Sequence, residues 1–211
     1  MHPRRMTPLP DKLLLVVGVT TLCMLSPGPD MVLVMRNTLT RDRRAGALTA
    51  LGVLTGNMFH IGYCTLGIGW LLSRSATAYD VLRYGGALYL VYLGIQGLRS
   101  QGGGLAQVES GASGPATSAY AQGVINNLLN PKGSLFYLGV FTQLITPDTS
   151  LAESLLLIAA MVSVSTLFWV VFVQTLHLPA IRTRLARWHR TLDRTFGLVL
   201  ILLGAKIALA P

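Results

Sequence analysis

From Ala45 to Ser73 the chain runs without a single formally charged side chain. About 20 mostly apolar residues suffice for a helix to cross the hydrocarbon core of a bilayer. The run exceeds a barrel strand in length and does not alternate with period two, so it argues for a helix in lipid. Five further stretches qualify or come close, at about 13–35, 77–98, 119–145, 151–178 and 192–210. Only 12% of the residues are charged, roughly half of the ~25% usual in soluble domains. These features predict an all-α integral membrane protein with six transmembrane helices.

The net charge is +9. Its arginines cluster between apolar runs instead of spreading over amphipathic faces, which fits membrane topology and not a nucleic-acid partner. One cluster is RNTLTRDRR (36–44) and the other RTRLARWHRTLDR (182–194), whereas Asp148 and Glu153 flank the connection between the fourth and fifth helices. Both basic segments are therefore expected as cytoplasmic loops of a multi-pass protein, with both termini outside. Arg4 and Arg5 before an apolar run look like a signal peptide, but no A-x-A site follows, so the run is read as the first membrane helix.

Two of the six stretches contain helix breakers. The first holds LSPGPDM (25–31) and the fourth holds Asn130-Pro131-Lys132. Between the halves lies SQGGGLAQVESGASGPATS (100–118), a flexible Gly/Ser-rich linker. The chain thus divides into 1–99, the linker 100–118, and 119–211. Each half opens with a proline-broken helix and closes with a similar run, LYLVYLGIQGL (88–98) and LVLILLGAKIAL (198–209). Three helices per half give two inverted three-helix repeats. Broken helices in matching positions of inverted repeats point to a secondary transporter with a midplane site. Freed backbone groups are tolerated there only where protein or a water-filled cavity satisfies them. Ser26 can cap a half-helix starting at Pro27, and Asn130 one starting at Pro131. Each then aims a positive dipole end into the bundle, a place for a carboxylate.

The residues resemble the LysE/RhtB family of bacterial amino-acid exporters. The family pattern is PGP, then four residues, then Val, followed by spaced glycines. It is met by Pro27, Gly28, Pro29, Val34, Gly46, Gly52 and Gly56, with Asp42 where the family has a first glycine. GVINNLLNPKGSLFYLGVFTQLI (123–145) is similar to the family's NLLNPK segment, and YGGALYLVYLGIQGLR (84–99) to its third helix. The resemblance implies export of an amino acid or similar small metabolite across the bacterial inner membrane, driven by proton entry, with no enzymatic activity and no cofactor. A homodimer is compatible with it.

The candidate substrate site comprises Pro27, Gly28, Pro29, Asp30, Asn130, Pro131 and Lys132. A carboxylate inside a membrane run is costly and marks function; Asp30 would hold a substrate ammonium or carry a proton. Lys132 would hold the substrate carboxylate, or pair with Asp30 when the site is empty. His60 is the second proton-coupling candidate. It continues the ridge of Gly52 and Gly56 at i+4 and i+8, so it faces protein; an interhelical hydrogen bond is the plain alternative. Gly46, Gly52 and Gly56 are read as helix-packing residues. Asn57, beside His60, carries the same two readings. Asn126 and Asn127 read as interhelical glue, Lys206 as a snorkelling end, and Trp70, Trp169 and Trp188 as interface anchors. Two other functions remain open on the residues: a membrane thiol oxidoreductase using Cys23 and Cys64, and a metal-ion exporter using Asp30, His60 and Cys64. No Walker loop, GxSxG or HExxH occurs.

Overall fold

The computed structural model describes residues 8–99, 118–144 and 149–209. The expected linker therefore lies outside the described residues, apart from Ser118. The described chain forms eight helices: α1 (Leu9–Leu25), α2 (Pro29–Thr40), α3 (Arg43–Arg74), α4 (Ala76–Arg99), α5 (Ala119–Leu128), α6 (Pro131–Leu144), α7 (Leu151–Thr175) and α8 (Pro179–Leu209).

The two breaks fall at the proline motifs. α1 closes when the Ser26 amide donates to Leu22 O at 2.9 Å. Gly28 is extended, and α2 restarts with Pro29 at its first position, where a missing N–H costs little. The half-helix thus begins at Pro29, two residues later than the motif suggests, and Ser26 does not cap it. α1 and α2 meet at a bend of 55°. In the second half, Asn130 Oδ1 accepts from the Lys132 amide at 3.0 Å, the side-chain cap expected for α6. Ser150 caps α7 in the same way, accepting from the Glu153 amide at 3.1 Å.

The expectation of six membrane-spanning helices is overturned. Among the described residues one helix, α7, is long and apolar enough to cross a membrane, or two if the bent pair α1–α2 counts as one span. α5 and α6 are short pieces on either side of a break. Glycines, Asn57 and His60 dilute the apolar run of α3, and Asp193, Arg194 and Lys206 charge that of α8. A scan for uncharged or weakly charged stretches passes over all of these. The arginine-rich segment 182–194, expected as a loop, is helical and forms the first half of α8. Most of 36–44 is helical too, leaving a turn around Arg41 and Asp42 between α2 and α3.

Packing interleaves the two halves. α4 lies along α8, α3 along α5, and α1 along α7. Close approach requires glycine at two of these contacts. A Cβ on Gly52 would run into Tyr120 O, and one on Gly123 into Thr49 O. A Cβ on Gly94 would sit 2.5 Å from Gly197 O. Two apolar clusters result. One joins Val16, Leu90, Phe136, Tyr137, Met161 and Leu200. The other joins Met31, Val34, Val53, Trp169 and Phe172. The first broken helix joins them, α1 packing in the first and α2 in the second, while α6 packs in the first.

Candidate functional site

The two breaks hold each other's charged residue. Asp30, in the first turn of α2, is bound by three amides from the second half. Asn126 Nδ2 donates to Oδ1 at 2.7 Å, and Asn127 Nδ2 and Asn130 Nδ2 each donate to Oδ2 at 3.0 Å. A carboxylate at a helix N-terminus also gains from the dipole. Lys132, in the first turn of α6, reaches back to the first break. Its Nζ donates to Ser26 O and to Ser26 Oγ, both at 2.9 Å, and lies 5.1 Å from the centre of the Phe196 ring. An ammonium at a helix N-terminus opposes the dipole. A local rule broken in this way marks a residue retained for something other than its helix.

Asp30 and Lys132 do not form the ion pair expected of them; Lys12 and Glu153 form one elsewhere, 2.7 Å apart where α1 and α7 begin. Instead the two line one cavity, together with Cys23, Gly28, Asn57, Asn127, Asn130 and Trp169. Its volume is about 40 Å³. A water needs roughly 10–15 Å³ by the same measure, so the cavity has room for a few waters and none for an amino acid. Of the other candidates, Pro27 and Pro29 shape the break, and Pro131 opens α6.

Two residues that the sequence left aside belong to this site. Asp193, in the middle of α8, is 6% exposed and accepts from Ser26 Oγ at 2.8 Å. Ser26 therefore bridges a cation and a carboxylate, accepting from one and donating to the other. Trp169 is 4% exposed and lines the cavity; it is not an interface anchor. Trp188 is exposed, as is Lys206 in the last turn of α8.

His60 lies behind the asparagines. It is 1% exposed, its Nε2 is 3.1 Å from Asn127 O, and its Nδ1 is 2.7 Å from the Tyr63 hydroxyl. A carbonyl only accepts, so Nε2 carries a proton; the Tyr63 hydroxyl can either donate to Nδ1 or accept from it. The glycine ridge lies where it brings α3 onto these residues. Gly56 abuts the Asn127 side chain, Gly52 abuts α5, and Gly46 abuts Thr38. Cys23 and Cys64 are free and buried in the same apolar cluster. Asp30, His60 and Cys64 make no metal-binding group, nor do any three His, Cys, Asp or Glu among the described residues.

Comparison with known proteins adds the family. The model of the LysE type translocator matches residues 21–210. The homoserine/homoserine lactone efflux protein of Salmonella typhi is 32% identical over 202 residues, covering 90% of this chain and 93% of its own. The threonine efflux protein of Escherichia coli (strain K12) is 31% identical over 185 residues, 83% of this chain and 88% of its own. The uncharacterized membrane protein YrhP of Bacillus subtilis is 27% identical over 207 residues, 94% of this chain and 99% of its own. No solved structure matches the chain significantly. By name two of these relatives are efflux proteins and the third is a membrane protein; members of the matched family are transporters, not enzymes. With a family model spanning nearly its whole length, the chain belongs to the LysE/RhtB family of small-molecule efflux transporters.

Proposed function

We propose that the chain exports an amino acid, or a zwitterion of similar size, across the bacterial inner membrane, with Asp30 receiving the ammonium and Lys132 the carboxylate. The observation that carries this reading is that both charges line one cavity yet neither is spent on the other. Each is held by neutral groups of the opposite half. A substrate ammonium can replace the asparagine amides on Asp30, and a substrate carboxylate can replace Ser26 on Lys132. Every charge then stays bonded throughout, which matters because an unpaired charge in low dielectric costs several kcal/mol. Pro27, Gly28, Pro29, Asn130 and Pro131 would set the backbone around the substrate. The relatives named for homoserine and threonine efflux transport molecules of this size and charge.

A cavity of about 40 Å³ is closed to such a substrate. Transport therefore requires residues 1–99 and 119–211 to part at the breaks, first on one side and then on the other. Exchanging Asp30–amide and Lys132–Ser26 bonds for substrate bonds is what would loosen one half from the other. Proton entry would drive the cycle, with Asp30 and His60 as the groups able to carry the proton.

The test is export by cells or proteoliposomes carrying Asp30→Asn or Lys132→Met. Each variant is expected to abolish export of amino acids while reaching the membrane in normal amount. Export at the wild-type rate by either variant overturns the reading.

A further inference from the structure

Three buried polar atoms on cavity-lining residues have no hydrogen-bond partner: the Trp169 indole N–H, the Asn57 amide nitrogen and the Asn127 amide oxygen. Buried polar atoms are nearly always paired, because leaving one bare costs roughly tenfold or more in an equilibrium constant. The amide orientations are fixed by chemistry. Asp30 can only accept, so Asn127 must turn its nitrogen toward it. That same nitrogen also donates to Asn57 Oδ1 at 3.0 Å. Asn57 therefore presents its oxygen to Asn127, and its nitrogen is left over. The Asn127 oxygen is left over for the same reason. Trp169 is a donor only.

The bare groups thus number two donors and one acceptor. They come from α3, α5 and α7, on residues that line the same cavity as Asp30 and Lys132. A hydroxyl group accepts twice and donates once, and so matches this inventory; an alkyl group satisfies none of it. We propose that Trp169 and Asn57 are specificity-determining residues that read an oxygen on the substrate's side chain, so that the site selects small hydroxylated amino acids over their alkyl counterparts. The proposal rests on the reading that Asp30 and Lys132 hold the backbone ammonium and carboxylate.

The experiment uses the full-length chain in proteoliposomes with labelled L-threonine and L-valine, which share a shape and differ in the hydroxyl. The wild-type protein is expected to transport threonine at least roughly tenfold better than valine, since a polar site rejects an analogue that leaves it unpaired. Trp169→Phe keeps an aromatic ring and removes the N–H; it is expected to lower the threonine-to-valine ratio about tenfold. A second measurement needs no variant at position 169. The Trp169 indole N–H resonance, assigned by elimination with Trp70→Phe and Trp188→Phe, is expected to shift with threonine and not with valine. An unchanged ratio in Trp169→Phe, or an indole resonance indifferent to threonine, overturns the proposal. So does a wild-type protein that transports, in an Asp30-dependent way, only amino acids lacking a side-chain oxygen, although the zwitterion site then stands. Transport of no amino acid at all overturns both.

Discussion

Asn130 ties the two charged residues of the site together: its amide nitrogen donates to Asp30 at 3.0 Å while its amide oxygen accepts from the Lys132 backbone at 3.0 Å. One side chain thus sets the start of α6 and satisfies a carboxylate of the other half. The position of Lys132 and the environment of Asp30 are coupled through it.

Two substitutions separate those roles. Asn130→Ala loses both the cap and the Asp30 bond, and is expected to destabilise the protein by about 1–3 kcal/mol. Asn130→Ser restores a capping oxygen but is too short to reach Asp30. It should recover about 1 kcal/mol of that stability and none of the lost export. Thermal unfolding in detergent and transport assays on the same preparations measure both. Equal stability of the two variants contradicts the cap.

The glycine contacts predict a contrast along the helices. Gly52→Ala drives a methyl group into Tyr120 O, and overpacking of this kind costs about 1–3 kcal/mol. Gly18→Ala, on the exposed side of α1, meets nothing within 4 Å. It is expected to be neutral or to stabilise by up to about 1 kcal/mol through helix propensity. Melting temperatures in detergent decide it; a Gly52→Ala protein as stable as wild type would show that α3 and α5 can separate at no cost.

What the sequence could reveal followed from how local each signal is. Proline and glycine act on their own backbone, so the breaks near Pro29 and Pro131 were legible, and the charges beside them drew attention to Asp30 and Lys132. Asn126 and Asn127 gave no such signal, because an intramembrane amide looks the same whether it holds a helix or a carboxylate. Asp193 was hidden among arginines in a segment read as a loop; with α8 starting at Pro179, it falls mid-helix and inward. Trp169 was missed because α7 is apolar all round, so no polar face marks its inner side. Its buried stripe runs Leu157, Met161, Ser165, Trp169, Val173, at intervals of four. The lone Ser165 in that stripe was the available clue. The count of six spans failed for a related reason: apolar length was read without weighing the glycines, amides and end charges inside each run.

Ser26 links Lys132 to Asp193, which predicts that its hydroxyl matters more than its size. Ser26→Ala leaves Lys132 with the Ser26 carbonyl and removes the hydroxyl's bond to Asp193; a loss of about 1–3 kcal/mol is expected. Ser26→Thr keeps the hydroxyl and should retain most of it. A Ser26→Ala protein that melts with wild type would show that the hydroxyl bridge contributes nothing to stability.

His60 offers a way to divide proton coupling from substrate movement. Its Nε2 donates to Asn127 O, and its Nδ1 faces the Tyr63 hydroxyl, which can donate to an unprotonated nitrogen or accept from a protonated one. The group can therefore take up a proton without losing either partner, which a proton carrier needs. Glutamine at this position can still donate to Asn127 O, but it cannot titrate. The bond it gives up, to Tyr63, involves a half-exposed residue and costs little. His60→Gln is accordingly expected to fold and to bind substrate, exchanging labelled for unlabelled amino acid across proteoliposomes at near the wild-type rate. Accumulation driven by an imposed pH gradient should be lost. The two assays share every step except the return of the proton, so their divergence isolates it. Gradient-driven accumulation that survives His60→Gln would reduce His60 to an interhelical hydrogen bond and leave Asp30 as the group that carries the proton.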